Sequence, residues 1–478
     1  MIQEQLTNET LIDGVRAAAD VLESVASNRE LLADVPAEDR ERLVRLAGEV
    51  YMPDPIVRRN RLKMIKRARR DAGRQREEAT LSDTGIRRLR RQPAYSTPNV
   101  FPPAEFEQRE VEGNPDFREA TEPQHCYVCK QHYTSIHHFY DQLCAPCAEL
   151  NYFKRTETAN LRGRVALLTG GRVKIGYQAG LKMVRAGAKL VVTTRFPRDS
   201  AARYAKEPDF NDWSNRLEIH GLDLRHTPSV EAFCSHLLKT ADRLDFIINN
   251  ASQTVRRPPE FYQHMMANER ALPAVPGLVS AAELSQVRLL PEEIEGQEAF
   301  FPVGRLDQDL QAVDLRDRNS WRLTLAEVSS VELLEVHLVN AVAPFIINAR
   351  LKPLMLRSPE RDKHIVNVSA VEGQFYRRFK TTRHPHTNMA KAALNMMTRT
   401  SAADYHADGI HMNAVDTGWV TDEDPRAIAE RKQVEHRFHP PLDIVDGAAR
   451  VVDPIISGFN TGKPIWGQFL KDFKPSDW

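Results

Sequence analysis

The chain has 478 residues and a formal net charge of +1 at pH 7, with 41% hydrophobic and 27% charged residues. This composition is ordinary for a globular protein with a large core, and the neutral balance excludes a polyanion binder that uses the whole molecule. The N-terminus lacks a basic stretch followed by an apolar one, and we expect no apolar run of membrane-spanning length. We therefore expect a cytoplasmic protein whose five cysteines are thiols or metal ligands rather than disulfides.

Residues 1–92 are predicted to form a helical, basic N-terminal region, because apolar residues recur there at three- and four-residue spacing. From Arg58 to Arg91 the sequence holds fourteen Lys or Arg against four Asp or Glu. One interpretation is a solvated arm that packs on a neighbouring domain or subunit, which the lack of interleaved aromatic residues favours. The alternative is a contact with an acidic partner or with nucleic acid.

Residues 93–123 contain six prolines, which indicates an extended connector. Segment 124–160 contains "CYVCKQHYTSIHHFYDQLCAPC", in which two CxxC pairs are separated by fourteen residues. Two such pairs can turn four thiolates toward one point, so the pattern predicts a structural zinc ion in a tetrahedral sulfur site. A disulfide pair or a redox CxxC is the alternative, and an intervening histidine could replace one ligand. The predicted metal ligands are Cys126, Cys129, Cys144 and Cys147, and the possible substitutes are His132, His137 and His138.

Strands alternate with helices from about residue 161 to the end. The stretch "RVALLTGGRVKIGYQAGLKMVRAGAKLVVTTR" is a strand, a glycine turn, an amphipathic helix and a second strand. Such a unit binds pyrophosphate at the N-terminus of its helix through backbone N–H groups and the helix dipole. The position of the glycine turn between a β run and a helix makes it a stronger signal than the turn alone.

Several motifs in this half follow the order of the short-chain dehydrogenase/reductase family, which the chain resembles. They are "TGGRVKIG" at 169–176, "LDL" at 222–224, "NNA" at 249–251, Asn340 thirteen residues before Pro353, "IVNVSAVEG", "KAALNMM" after Lys391 and "GIHMNAVDTGWV". The resemblance implies an α/β fold over 161–478, with a Rossmann-type doubly wound parallel sheet. It also implies an insertion at about 254–335, which carries Arg256 and Arg257 and could be a substrate lid or a partner surface.

The resemblance further implies which residues hold a dinucleotide. They are Thr169, Gly170, Gly171, Lys174, Ile175, Gly176, Arg195, Asp223, Leu224, Asn250, Ala251, Lys391, Thr417 and Gly418. Lys174 replaces the middle glycine of the family motif, and Arg195 stands at the end of the second strand, where an acidic residue would select NAD(H). Two cations on one side can neutralise a 2′-phosphate, so we predict NADP(H) rather than NAD(H). The alternative is that Arg195 is an ordinary surface arginine.

The catalytic residues of the family are only partly present. In the family a tyrosine donates a proton, a lysine lowers the pKa of that tyrosine and holds the ribose, a serine orients the carbonyl and an asparagine supports a water relay. Asn340 and Lys391 match the asparagine and the lysine. Ala370 stands at the serine position and Thr387 at the tyrosine position, and an alkyl hydroxyl is a much weaker acid than a phenol.

Two other residues could supply the proton. His386 adjoins the tyrosine position and can titrate near neutral pH, whereas Tyr376 and Lys380 reproduce a YxxxK spacing ahead of the helix. The alternative for both His386 and Tyr376 is a loop residue without a catalytic role.

Two functions therefore remain open at the sequence level. The first is an NADP(H)-dependent oxidoreductase that acts on a carbonyl or alcohol substrate with a non-standard proton donor. The second is a catalytically degenerate dinucleotide-binding protein that serves as a regulatory or assembly module. The small and apolar residues of "AKAALNMMTRTSAADY" also predict a homo-oligomer that pairs through this helix.

Overall fold

A computed structural model describes most of the chain, and it separates into two compact units, Met1–Glu78 and Ala79–Trp478. The described residues are 8–51, 55–91, 119–257, 261–262, 264–266, 269, 314–316, 318–375, 380–421 and 439–478. Tyr376, most of the proline-rich connector and most of the insertion lie outside these residues. The statements below concern the described part of the chain.

The first unit is helical, as the sequence predicts. Its elements are α1 (Asn8–Ser27), a 3-10 turn (Arg29–Leu32), α2 (Ala37–Tyr51) and α3 (Pro55–Ser82). Asn28 caps the 3-10 turn by accepting a hydrogen bond from the N–H of Glu30.

The second unit is built on an eight-stranded sheet. The strand order is β10-β9-β8-β7-β6-β3-β4-β5, and all neighbours are parallel except the antiparallel pair β9 and β10. The chain returns to the middle of the sheet between β3 and β6, where the strand order reverses. This is the doubly wound arrangement predicted from the sequence. The strands are β3 (Val165–Thr169), β4 (Lys189–Thr194), β5 (Leu217–Gly221), β6 (Phe246–Asn249), β7 (Lys363–Ser369), β8 (Ile410–Asp416), β9 (Phe469–Lys471) and β10 (Lys474–Ser476).

Helices cover both faces of this sheet and bury two apolar cores. One core lies between the sheet and the helices α6 and α13, and the other lies between the sheet and the helices α9, α11 and α12. Parallel strands buried on both faces need continuous apolar runs, which the sequence of β3 and β4 provides. The helices of this unit are α4 (Gly85–Arg91), α5 (Ala145–Thr156), α6 (Lys174–Arg185), α7 (Pro197–Tyr204), α8 (Phe210–Trp213), α9 (Thr227–Thr240), α10 (Ser330–His337), α11 (Ala343–Met355), α12 (Pro385–Ala407) and α13 (Ile444–Thr461).

A separate two-stranded sheet precedes the large one. Strands β1 (Glu119–His125) and β2 (His132–Ser135) pair antiparallel and are followed by α5. Buried aromatic residues, among them Phe139 and Tyr140, form a third core beneath this element. The element therefore packs on the same unit as the large sheet and is not an isolated appendage.

One described helical segment, Ser330–Met355, is long and apolar enough to cross a membrane by length and composition. The sequence-based expectation of no such run therefore does not hold for this segment. Val339, Ala343 and Ile347 on the segment are buried in the core of the sheet unit. Core helices of globular proteins pass the same test, so the observation is weak evidence for a membrane span.

Candidate functional site

A cavity of about 800 Å³ opens at the carboxyl ends of the parallel strands. Its lining comes from the loops that follow β3, β4, β5, β6, β7 and β8. It spans the point between β3 and β6 where the strand order reverses, which is where open α/β sheets bind ligands. The volume is within the range of cofactor sites in proteins.

The turn after β3 has no room for side chains. Gly170 has a φ of +69°, a conformation that favours glycine. A Cβ built on Gly176 would lie 2.2 Å from the carbonyl oxygen of Gly170 and 2.3 Å from Nδ2 of Asn250. Asn250 in turn donates to the carbonyl oxygens of Thr169 and Gly170, at 3.1 and 3.2 Å. These contacts hold the first turn of α6 close to the strand ends, as a pyrophosphate site requires.

Lys174 begins α6 with a φ of +55°, which is strained for a residue with a side chain. The resemblance to the family implies a glycine at this point, and a positive φ is a conformation that glycine adopts without strain. Lys174 lines the cavity beside Ile175 and Gly176. A lysine at the helix N-terminus adds positive charge to a place that already favours anions.

Arginines surround the end of β4. Arg195 lines the cavity and donates from Nη2 to the hydroxyl of Tyr262 at 3.0 Å, and its guanidinium lies 4.6 Å from the centre of the Tyr262 ring. Arg172, in the glycine turn, donates to Asp199 at 2.7 Å and is 6% exposed. Arg195 therefore lies in the cavity wall at the end of β4, and Arg172 is a second arginine there that the sequence interpretation did not name.

The carboxylate of Asp223 lies at the end of β5 and is held by Arg225. The backbone N–H and Nε of Arg225 donate to Oδ1 at 3.0 Å each, and Nη2 donates to Oδ2 at 2.7 Å. Arg225 also approaches Glu335 at 3.4 Å. Asp223 and Leu224 both line the cavity, where the resemblance places the adenine contact.

Lys391 on α12 is a titratable residue that the structure places in the cavity lining. Its Nζ donates to the carbonyl oxygen of Val368 on β7 at 2.8 Å, and the side chain lines the cavity. Burial lowers the pKa of Lys391 to about 8, while Glu372 and Asp416 act in the opposite direction. Lys391 is therefore mostly charged at pH 7 and loses its proton as the pH rises through about 8.

Asp416 at the end of β8 is an acidic residue that the sequence interpretation did not single out. Its Oδ1 accepts the N–H of Val371 at 3.0 Å and its Oδ2 accepts the N–H of Gly418 at 3.1 Å. Burial, followed by the charge of Glu372, raises the pKa of Asp416 to about 6. The carboxylate thus ties together the two loops that flank Lys391.

Asn340 lies in a π-helical turn, Leu338–Val342, between α10 and α11. Its Oδ1 accepts the N–H of Gln253 at 2.7 Å and its Nδ2 donates to the carbonyl oxygen of the same residue at 2.9 Å. Gln253 lines the cavity, whereas Asn340 does not. Asn340 therefore positions the loop after β6 and does not itself form part of the described lining.

Thr387 and His386 are buried at the start of α12, with exposures of 2% and 1%. Neither belongs to the described lining of the cavity. The Nε2 of His386 lies 3.5 Å from Oε1 of Glu332 on α10. The structure thus places His386 beside α10 and buries Thr387 outside the described lining, and Ala370 brings no polar group to the cavity.

A different histidine, His384, lines the cavity. Its ring stacks on Trp321 with centroids 4.0 Å apart and 7° between the planes. Nδ1 of His384 lies 3.0 Å from Oδ1 of Asn388, and burial lowers the pKa of the imidazole. His384 occupies the N-cap position of α12 with a φ of +43°, so a local turn sets the direction of its side chain.

The predicted cofactor residues are largely brought together. Thr169 and Gly171 lie behind the lining, where Thr169 Oγ1 accepts the N–H of Ala251 at 3.1 Å and the carbonyl of Gly171 accepts the hydroxyl of Tyr204 at 2.9 Å. The predicted residues in the lining are Gly170, Lys174, Ile175, Gly176, Arg195, Asp223, Leu224, Asn250, Ala251, Lys391, Thr417 and Gly418.

The four predicted cysteines form a second candidate site. Their Sγ atoms all lie within 4.8 Å of one another, and those of Cys129 and Cys144 are 3.6 Å apart. Sulfurs in a tetrahedral zinc site with bonds of about 2.3 Å lie about 3.8 Å apart, so the cluster fits a zinc knuckle. His137 is not needed as a ligand, because its Nδ1 accepts backbone N–H groups of Phe139 and Tyr140.

Local structure turns the two pairs toward each other. After Cys129 the chain turns back through Lys130, whose φ is +63°, and a hydrogen bond from the N–H of Gln131 lowers the pKa of the Cys129 thiol to about 7. Cys144 occupies the N-cap position of α5, and burial raises the pKa of its thiol. Burial raises the pKa of Cys147, so a bound cation is what would keep all four residues as thiolates.

Comparison with known proteins agrees with this geometry. Residues 164–271 match the family model described as short chain dehydrogenase, and residues 304–442 match the model described as enoyl-(acyl carrier protein) reductase. An uncharacterized protein of Acanthamoeba polyphaga mimivirus is 31% identical over 348 residues, which are 69% of this chain and 71% of that one. The chain belongs to the short-chain dehydrogenase/reductase family.

Other similarities are shorter or more distant. Dehydrogenase/reductase SDR family member 13 of Homo sapiens is 37% identical over 93 residues, so this chain spans only 24% of that relative. A solved short chain dehydrogenase from Burkholderia cenocepacia, in complex with NADP, has a TM-score of 0.43 and 17% identity, covering 65% of this chain and 96% of that one.

Proposed function

We propose that this family member is an NADP(H)-dependent oxidoreductase for a carbonyl or alcohol substrate. The observation that carries the proposal is one cavity that combines a glycine turn against a helix N-terminus with Lys391 at the other end. Gly170 and Gly176 leave space for phosphates, and Lys174 and Arg195 supply positive charge for a 2′-phosphate. A bound NADP(H) would supply the hydride chemistry, and the protein groups would position it and exchange the proton.

His384 is the proposed proton-exchanging residue. With Nδ1 as the donor to Asn388, its Nε2 has a lone pair that would accept the hydroxyl proton of an alcohol, and a bound NADP⁺ would accept the hydride from the carbinol carbon. Burial keeps this imidazole neutral near pH 7, which suits a base in the oxidation direction. His386 remains the prediction from the sequence, but its ring faces Glu332 and lies outside the described lining.

A second function is supported by the residues that are missing from the cavity. Ala370 cannot orient a carbonyl, and the buried Thr387 cannot act as a phenolic acid. A dinucleotide-binding module without reductase activity would need the glycine turn and Lys391 but not a proton donor. In this alternative the bound cofactor sets the shape or assembly of the protein.

The experiment that separates the two functions measures binding and turnover independently. The purified chain is titrated with NADPH by calorimetry and then assayed for NADPH oxidation with a panel of ketones and aldehydes, and for NADP⁺ reduction with the matching alcohols. Binding with turnover of at least one compound supports the oxidoreductase. Binding without turnover of any compound supports the module, and lack of binding contradicts both.

We further propose zinc as the ion of the cysteine cluster and a homo-oligomer as the functional state. Four cysteine sulfurs within 4.8 Å of one another can fill all four positions of a tetrahedral zinc site, which suits a structural ion and leaves no open position for catalysis. Exposed apolar residues on α11 and α12, among them Phe345 and Met396, support pairing through these helices. The cytoplasmic location remains a prediction from the sequence, and a contact of the basic arm with an acidic partner or nucleic acid remains the alternative to a solvated arm.

A further inference from the structure

Segment 124–160, here called the cysteine element, contributes a residue to the wall of the proposed dinucleotide cavity. Tyr127 lies between the ligands Cys126 and Cys129 and lines the cavity. Its phenolic oxygen accepts the backbone N–H of Trp419 at 3.0 Å, across 292 positions of sequence. A Cβ built on Gly418 would lie 3.5 Å from this oxygen. The hydroxyl therefore stands beside the turn that corresponds to the nicotinamide end of the site.

The Tyr127 ring is fixed from both the cysteine element and the large sheet. Its backbone N–H donates to the carbonyl oxygen of Gln142 at 2.8 Å. The Nζ of Lys130 lies 4.7 Å from the ring centre, and the Nζ of Lys471 at the end of β9 lies 5.7 Å from it. A rigid aromatic residue with a polar tip can bind a ligand at a low entropic cost.

The same element also holds the far end of the chain segment that begins at Trp419. Gln142 donates to the carbonyl oxygen of His439 at 2.8 Å, and Arg155 on α5 forms two hydrogen bonds with the carboxylate of Asp443, at 2.7 and 2.9 Å. Asp443 caps α13, so the contact fixes the start of that helix. The cysteine element thus contacts Trp419, shortly after β8, and also His439 and Asp443, just before α13.

One hydrogen-bonding group of this arrangement points to a ligand. A phenol has one proton to donate, and no described residue accepts the proton of Tyr127, whose oxygen is already an acceptor for Trp419. The hydroxyl lies in the cavity wall near Gly418 and Thr417. A carbonyl oxygen of the bound molecule would complete this hydrogen bond.

We propose that Tyr127 positions the nicotinamide half of the cofactor by donating a hydrogen bond to its carboxamide oxygen. The metal knuckle is then part of the cofactor site, because its ligands on either side of Tyr127 fix the backbone that carries the phenol. Loading the cysteines with zinc therefore strengthens NADP(H) binding. The inference rests on the proposed function, since it needs the cavity to bind NADP(H).

The test uses the full-length chain with its metal content measured, and two variants that each remove one phenolic oxygen. Tyr127→Phe removes the proposed contact, and Tyr133→Phe is the matched control, because the Tyr133 hydroxyl donates to the carbonyl of Asp141 at 2.8 Å in the same element. Each protein is titrated with NADPH and with adenosine 2′,5′-bisphosphate, which lacks the nicotinamide. We expect Tyr127→Phe to weaken NADPH binding about three- to ten-fold, the effect of one hydrogen bond, and to leave the bisphosphate unchanged.

Cys129→Ser, which removes an exposed ligand, gives a second and independent measurement. We expect it to lower the zinc content and to weaken NADPH binding at least as much as Tyr127→Phe. If the parent binds both probes and Tyr127→Phe binds NADPH equally well with zinc in place, this inference is wrong and the proposed function stands. If the parent binds neither probe, the proposed function is wrong and the inference is overturned with it.

Discussion

The Nζ of Lys391 donates a hydrogen bond to the carbonyl oxygen of Val368 at 2.8 Å, two residues before the position where Ala370 replaces the family serine. This contact places the ammonium beside the strand end where the resemblance to the family implies a nicotinamide ribose, whereas Ala370 brings no hydroxyl there. We therefore expect a site that keeps the groups proposed to bind the cofactor and lacks the family groups that transfer the proton. The predictions below separate these two aspects.

Lys391 should make cofactor binding depend on pH. Its pKa of about 8 means that the side chain is charged below pH 8 and neutral above it, so affinity for anionic NADPH should fall as the pH rises through about 8. Lys391→Met should bind NADPH about ten-fold more weakly at pH 7 and lose this step, as expected for one charge-assisted contact. Calorimetric titration with NADPH between pH 6.5 and 9.5 measures this pH dependence. An equal fall in affinity in the parent and in Lys391→Met would show that Lys391 is not the titrating group.

The stability of the free protein should respond in the opposite direction. An unfolded lysine keeps its proton up to about pH 10.4, whereas folded Lys391 loses it near 8, so the unfolded state binds more protons between these values. The free energy of unfolding of the parent, relative to Lys391→Met, should therefore increase by on the order of 2 kcal/mol from pH 8 to pH 10. Denaturant unfolding of both proteins at the two pH values measures the difference.

Arg195 should select NADPH over NADH. Arg195→Ala removes a guanidinium that can pair with the 2′-phosphate, and we expect about a ten- to hundred-fold loss of NADPH affinity with little change for NADH. Arg350→Ala is a suitable control, because Arg350 is paired with Glu231 on the surface and is not among the residues that line the cavity. Equal affinity of the parent for NADPH and NADH would show that Arg195 does not recognise the 2′-phosphate.

One zinc ion per chain should be present in the purified protein. Cys126→Ser should abolish stoichiometric zinc and lower the melting temperature, because a closed four-ligand site contributes directly to folding stability. Cys234→Ala is the control, since this buried thiol lies on α9 in the core of the sheet unit and its loss should leave the metal content unchanged. Elemental analysis together with thermal unfolding decides the matter, and a fully folded metal-free parent would contradict it.

Features that depend on nearby residues were predictable from the sequence. Gly170 and Gly176 lie where a Cβ would overlap neighbouring atoms, and local turns bring the sulfurs of the paired cysteines together. The sheet order follows from the same local βαβ units. Lys391 was identified because its spacing from the following helix residues matches the family motif.

Contacts between distant residues were not predictable. Tyr127 and Trp419 are 292 positions apart, and nothing in "CYVC" indicates that its tyrosine lies against the turn after β8. His384 enters the cavity because its φ is +43° and its ring stacks on Trp321, whereas His386 two residues later faces α10. Identity and spacing alone could not distinguish these histidines, since the direction of a side chain depends on the turn before the helix.

The chain is predicted to form a homo-oligomer through α11 and α12. Phe345 is 60% exposed and Met396 is 55% exposed, and exposed apolar groups of this size are typical of interfaces. Phe345→Glu should shift the molar mass in light scattering toward the monomer, because the charge would be buried at the interface. Phe153→Glu replaces a comparably exposed residue on α5 and should leave the molar mass unchanged. A parent protein that is monomeric at micromolar concentration would exclude this assembly.

The site should bind NADPH yet reduce simple ketones slowly. Loss of a positioned general acid typically costs about two to four orders of magnitude in rate, and neither Ala370 nor Thr387 replaces the missing hydroxyls. If turnover with a particular substrate is found, His384→Ala should lower it by about 10²- to 10⁴-fold and change NADPH affinity less than two-fold. His386→Ala tests the donor predicted from the sequence and should leave turnover within about three-fold, because its ring lies against Glu332. Rates on simple ketones that are typical of the family, and unaffected by His384→Ala, would show that the proton comes from a group other than this histidine.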